Sequence, residues 1–221
     1  MTDVLYLWPA GSRFGARVPK EKLYENGPVT AALREKLVAD VQRITWTHKL
    51  AEETINLPST PAVPEIEVFQ IDSKRDDVAD VVLAVIDKAV PNPIVFEITR
   101  ESAGHREVRM VAAHKPRGSV APKVQGYYST RWMPADAARV PLPTAISLPA
   151  LYAALLAPLT PIDTRAGEDV SEVGARLETV RRLQREIVAL ERKIRSEPQL
   201  NRKLELRRTL KAKQAELEEQ K

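Results

Sequence analysis

Asp72-Ser73-Lys74 closes a segment that opens with Glu65 and Glu67, and Glu97 stands in the next apolar run. Carboxylates gathered in this way can hold a hard divalent cation. A lysine one residue beyond can steady an attacking water or a developing charge. Asp72, Lys74 and Glu97 are therefore the candidate catalytic set for a metal-dependent nuclease of restriction type. An acid, a spacer and a lysine also occur together by chance in most proteins. Strand-end solvation, or helix capping by Asp76 or Asp77, explains the same acids without a metal. The second reading is the one the spacing favours, so no metal and no cofactor is expected, and the chain reads as a binding subunit more than as an enzyme.

Other chemistry is sparse. His48, His105 and His114 have no metal-ligand spacing, and His48 reads as a hydrogen-bonded histidine on an apolar face. There is no Gly-x-Ser-x-Gly elbow and no glycine-rich phosphate loop. The absence of cysteine excludes disulfides, thiolate zinc sites and cysteine nucleophiles, and fits a reducing, cytoplasmic setting. The longest apolar stretches fall short of the roughly 20 residues that span a bilayer. Lys115, Arg117 and Lys123 precede Tyr127, Tyr128 and Trp132, a combination that could grip phosphates and stack on bases. The alternation of those aromatics fits a half-buried strand better.

Charge is unevenly distributed. Residues 51–98 hold 3 basic and 10 acidic side chains, whereas residues 176–213 hold 13 basic and 5 acidic ones. The second stretch is a candidate phosphate-binding surface through Arg181, Arg182, Arg185, Arg192, Lys193, Arg202, Lys203, Arg207 and Arg208. A solvated helix face accounts for the same residues.

The elements that must position these residues follow from periodicity. Residues 1–27, rich in Pro and Gly, read as an irregular basic arm. Leu33, Leu37, Val41, Ile44 and His48 recur at helical spacing after Gly27-Pro28. Glu65 to Asp72 alternates as a strand, with Ile66, Val68 and Gln70 on one face and Glu67, Phe69 and Ile71 on the other. Asp76 can cap a helix carrying Val78, Val82, Val85, Ile86 and Ala89. Ile94 to Thr99 reads as a central strand, joined through Ala103-Gly104 to a hairpin partner at Glu107–Ala113. Gln125 to Met133 reads as a fourth strand, and Ser147 with Pro149 opens a helix. The expected class is α/β (α+β): a mixed sheet of about four strands covered by helices over residues 1–160, a linker at 161–167, and a helical hairpin or coiled-coil arm over 168–221.

That arm has a narrow apolar seam. Val173, Val180, Ile187 and Ile194 lie seven residues apart, with Leu183 and Leu190 in the second row. Such a seam requires another helix to cover it. Ser196-Glu197-Pro198-Gln199 has the pattern of a capping box with proline in a first turn, which favours a chain reversal. The cover is then the second arm, although a two-stranded homodimer satisfies the same seam.

Several ordered segments resemble a bacterial family, domain-of-unknown-function family 4391: Lys22-Leu23-Tyr24-Glu25-Asn26, Ile44-Thr45-Trp46, Thr54-Ile55-Asn56-Leu57, Pro91-Asn92-Pro93-Ile94-Val95-Phe96-Glu97, Tyr127-Tyr128-Ser129-Thr130, and Glu197 to Leu206. Pro198 departs from the helix former expected there, and arginine replaces much of the tail lysine. The resemblance implies an accessory, non-catalytic subunit of a bacterial DNA-targeting defence or restriction–modification-like system. Its implied partner is a helicase, translocase or DNA methyltransferase, with DNA as a further ligand. The family supplies no catalytic residues.

Overall fold

The computed structural model describes residues 3–25, 29–115, 126–160, 162 and 170–220. The chain divides into two units, Met1–Thr160 and Pro161–Lys221. In chain order the first unit carries β1 (Tyr6–Leu7), β2 (Arg13–Arg17), α1 (Lys20–Tyr24), α2 (Ala31–Asp40), β3 (Val41–Ala51), α3 (Glu52–Ile55), β4 (Glu65–Ser73) and α4 (Asp80–Ala89). It continues with β5 (Ile94–Ser102), β6 (His105–Ala112), β7 (Tyr128–Ser129), β8 (Met133–Pro134), β9 (Val140–Pro141) and α5 (Leu148–Leu156). The second unit carries α6 (Val170–Ser196) and α7 (Leu200–Gln220).

The main sheet has the order β2-β3-β4-β5-β6-β7, with β8 also paired to β6. Strands β4 and β5 are parallel and joined by the crossover helix α4, while the other pairings in this sheet are antiparallel. The fold is therefore mixed α+β, as the sequence pattern predicts, with a larger sheet than the four strands expected. Alternation along the strands gives each face its own core. Ile44, Phe69, Ile71, Phe96, Ile98 and Val111 face one way and pack with Leu23 of α1, Leu37 of α2 and Val82, Leu83, Val85 and Ile86 of α4. Ile66, Val68, Val95, Met110 and Ala112 belong to the other face and are buried, as are Leu148, Leu151, Tyr152, Leu155 and Leu156 near α5. Tyr152 donates to the Ala113 carbonyl at 2.5 Å.

Two expected elements change. The helix predicted through His48 stops at Asp40, and Val41, Ile44 and His48 lie on β3. Val41, Ile44, Thr45 and Thr47 are β-branched and stiff at χ1, and nine residues of β3 find ladder partners on β4, so pairing outweighs the helical spacing. The helix begins at Ala31, capped by Thr30, whose hydroxyl accepts from Leu33 N at 3.3 Å. The arm read as irregular contributes β1, β2 and α1. A short parallel ladder places Tyr6 opposite Val140, separate from the main sheet. The fourth strand, expected over Gln125–Met133, appears as the short β7 and β8; Gln125 lies outside the described residues.

Helix α4 starts at Asp80 behind Ala79, with no side-chain cap, while Asp77 accepts from Val78 N and from Arg109. Ser147 caps α5 as expected. The β5–β6 turn uses two left-handed residues, Ala103 at φ 49° and Gly104 at φ 79°, the twist a tight hairpin requires.

The second unit is a helical hairpin. Arg176 of α6 donates to the Gln220 carbonyl of α7 at 3.0 Å, and Lys213 pairs with Glu186 at 3.2 Å, so the two helices run antiparallel. Pro198 sits in the link between them, where it interrupts no helix. The expected capping by Ser196 is replaced: its hydroxyl donates back to the Arg192 and Lys193 carbonyls, and the Glu197 carboxylate accepts from Gln199 N at 3.0 Å.

Candidate functional site

Asp72 and Glu97 lie on the same sheet face, two residue pairs apart in the parallel ladder, since Gln70 stands opposite Glu97 and Asp72 opposite Thr99. Both carboxylates are buried, and both are engaged by the protein itself. Asp72 Oδ2 accepts from Arg43 Nε at 2.8 Å and pairs with Arg43 Nη2 at 2.6 Å. Its Oδ1 accepts from Gln70 at 2.9 Å, Thr99 at 2.8 Å and Arg106 at 2.9 Å. Burial acts to raise the Asp72 pKa, but these hydrogen bonds outweigh it and hold the carboxyl below its ordinary value.

Glu97 accepts from Trp8 Nε1 at 2.8 Å and from Arg139 at 2.6 and 3.1 Å. Lys74 points elsewhere and donates to the Val38 carbonyl at 2.8 Å. Among the described residues no group of three or more acids and histidines is arranged to hold a metal. Both acids of the nuclease reading are thus clasped by arginines, and Lys74 makes its contact elsewhere. His48 is beside Trp8, at 6.1 Å between ring centroids, and burial lowers its pKa.

Glu67 faces the opposite side of β4. Burial pushes its carboxyl from 4.5 up to about 7, against the Asn92 amide that donates to it at 3.0 Å. A folded acid with a raised pKa holds its proton more tightly than the unfolded chain does. Its contribution to stability is therefore present below 4.5 and is lost as pH rises through about 7. A shift of this size corresponds to about 3 kcal/mol. Glu67→Gln keeps an acceptor for Asn92 and cannot ionise. It is expected to be about 2–3 kcal/mol more stable than wild type above about pH 8 and close to it near pH 5. Urea unfolding at the two pH values checks this, and a gap independent of pH would refute it.

The basic and aromatic constellation is taken apart by the fold. Lys115 is 2% exposed. Its ammonium donates to the carbonyls of Asp87 at 2.6 Å and Asn92 at 3.0 Å, to that of Val90, and to the Asp87 carboxylate at 3.3 Å. It is a buried cap on the end of α4 and does not join a phosphate-binding surface. Tyr127 donates to the other Asp87 oxygen. Burial pushes the Asp87 carboxyl up and the Lys115 ammonium down, and each partner's charge opposes the other's shift. The guanidinium groups of Arg100 and Arg109 lie 4.1 and 5.1 Å from the Trp132 ring centroid, so the ring is engaged by cations within the fold. Arg117 and Lys123 lie outside the described residues.

The hairpin keeps its cations at the surface. Of the seam, Val173, Val180 and Leu183 are buried, and Ile187, Leu190 and Ile194 are half-buried. Arg182 pairs with Glu186 at 3.0 Å and lies 3.6 Å from Glu216, and Arg202 lies 3.7 Å from Glu197. Arg181 and Lys203 are half-exposed. Arg185, Arg192, Lys193, Arg207 and Arg208 are exposed and make no ion pair among the described residues, as do Arg195 and Lys211, which the sequence reading left out. Val188, Leu200 and Leu204, 45–69% exposed, lie along the same helices.

Sequence reasoning also missed Arg43, Arg106, Arg139 and Trp8. Arg43 was hidden by assigning its segment to a helix, where it could not face Asp72. Arg106 was visible in principle, because the Ala103-Gly104 hairpin sets it opposite Glu101 on the face that carries Thr99.

No curated protein and no solved structure matches the chain. The profile described as domain of unknown function DUF4391 matches residues 7–217, which takes in nearly all of both units. On that match the chain belongs to the DUF4391 family.

Proposed function

We propose that the chain is a non-catalytic subunit of a bacterial DNA-targeting defence or restriction–modification-like system. In this reading its hairpin contacts the DNA backbone, and the chain docks on a helicase, translocase or methyltransferase. The observation that supports it is the set of exposed, unpaired cations on α6 and α7, which the acids of the same helices leave uncompensated. Lysine and arginine placed in this way release counterions from a phosphate backbone on contact, without reading sequence. Arginine clasps on Asp72 and Glu97 favour the binding role over the nuclease role, because a cation would have to displace them.

The test is fluorescence anisotropy of a short DNA duplex between about 50 and 200 mM salt. The full chain is expected to bind with a steep salt dependence. The variant R192E/K193E/R207E/R208E is expected to bind at least about 30-fold more weakly, with a log–log slope shallower by about 3–4. Equal binding and equal slope would remove the proposal. A preserved helical circular dichroism spectrum in the variant separates lost binding from lost folding.

A further inference from the structure

A cleft of about 390 Å³ opens at the carboxyl ends of the parallel strands β4 and β5. Its floor is Asp72, and Arg17, Arg43 and Arg106 stand around it. Crevices at this end of parallel strands are where open α/β sheets take ligands. The side chains of Arg43 and Arg106 are 53% and 48% exposed, whereas that of Asp72 is 12% exposed. Arg43 is thus held along one edge, and Arg106 through one terminal nitrogen, by the buried Asp72 carboxylate, while both half-exposed side chains line the cleft.

A guanidinium carries five N–H donors. Arg43 gives Asp72 donors from Nε and Nη2, and Arg106 gives Asp72 and Thr99 donors from Nη2. The Nη1 groups of both and Nε of Arg106 have no partner among the described residues. Arg17, on the facing edge of β2, makes no ion pair among them either. Arg100 on the rim is neutralised by Glu107 at 2.7 Å. Asp72 and the exposed Glu101 leave one net positive charge on this set of three arginines, Asp72 and Glu101. Donors held in place before a ligand arrives lose little freedom on binding, and paired guanidinium forks match a tetrahedral oxyanion.

We propose that this cleft is a binding site for a phosphate monoester, held by Arg43 and Arg106 and closed by Arg17. Two sources present that group: a free mononucleotide and the 5′-phosphorylated end of a nucleic-acid strand. The site lies in the first unit and does not depend on the DNA-contacting role of the hairpin.

The experiment is calorimetric titration of the full chain with inorganic phosphate, with AMP, and with one short single strand carrying either a 5′-phosphate or a 5′-hydroxyl. The strands are also titrated into R192E/K193E/R207E/R208E, which removes the hairpin contribution. Saturable binding of phosphate or AMP, weakened about tenfold or more by Arg17→Gln and by Arg106→Gln, is the expected result. Arg17→Gln touches none of the Asp72 contacts, so its folding is expected to be unchanged, as a urea midpoint checks. AMP binding with no preference between the strands identifies the free nucleotide as the source. A preference of about tenfold for the 5′-phosphorylated strand, lost in Arg17→Gln, identifies the strand end. No saturable binding of phosphate or AMP together with no strand preference, or binding unaffected by both arginine variants, would overturn the site. The hairpin proposal stands or falls separately on its duplex titration.

Discussion

Lys115→Met is expected to destabilise the first unit by about 3–5 kcal/mol, the cost of leaving one member of a buried ion pair alone. The substitution strips the Asp87 carboxylate of its cation in a place where water cannot reach it. It also removes the donor shared by the carbonyls of Asp87, Val90 and Asn92, which end α4 and begin the turn into β5. Orphaned helix-end carbonyls add their own cost. Among the described residues, Tyr127 would then be the remaining side-chain partner of Asp87. Guanidinium unfolding is the measurement, and an unchanged midpoint would contradict the role given to Lys115. Adding Asp87→Leu removes the stranded charge, so the double variant is expected to be less destabilised than the sum of the two single ones.

Arg139→Ala is expected to cost about 3–5 kcal/mol for the same physical reason at Glu97. The Arg139 guanidinium holds both Glu97 oxygens and donates to the Tyr6 carbonyl at 2.7 Å. Without it Glu97 keeps only the Trp8 indole as a partner among the described residues. The loss should be local as well as global: amides of Leu5 to Trp8 are expected to exchange with solvent far faster, because Arg139 and the β1–β9 ladder hold that segment. Exchange unchanged in that segment would show that the ladder suffices. Glu97→Gln tests the charge itself, since the amide keeps the shape and one acceptor.

The parts of the fold with one dominant local signal were legible in the sequence. Alternation over Glu65–Asp72 placed Phe69 and Ile71 opposite Val68 and Gln70, and the structure keeps that division. Ser147 with Pro149, the Ala103-Gly104 turn and the chain reversal at Pro198 were legible because each is fixed within a few residues. Val41 to His48 was misread because apolar spacing alone fits either a helix face or a bulged strand. What decides between them is β4, more than twenty residues away along the chain. The same distance hid the site. Asp72 read as one of several acids around a strand end, and its clasp stayed hidden because Arg43 lies 29 residues before it and Arg106 34 residues after it. The cations of the hairpin were legible because a helix displays its sequence directly. Lys115 was not, because a lysine beside aromatics reads the same whether it faces water or a helix end.

The ladder between Tyr6 and Val140 sets an order of assembly. Its two strands are separated by nearly the whole first unit, so the loop it closes is the longest among the strand pairings, and closure entropy is largest there. On a ribosome the first strand waits until residues beyond Val140 have emerged. The β5–β6 hairpin, by contrast, pairs Ser102 with His105 as soon as both exist. Closure entropy thus favours the hairpin early and the Tyr6–Val140 ladder late. Until that last contact forms, Trp8 has not reached Glu97, and the acid waits for the indole that will cover it.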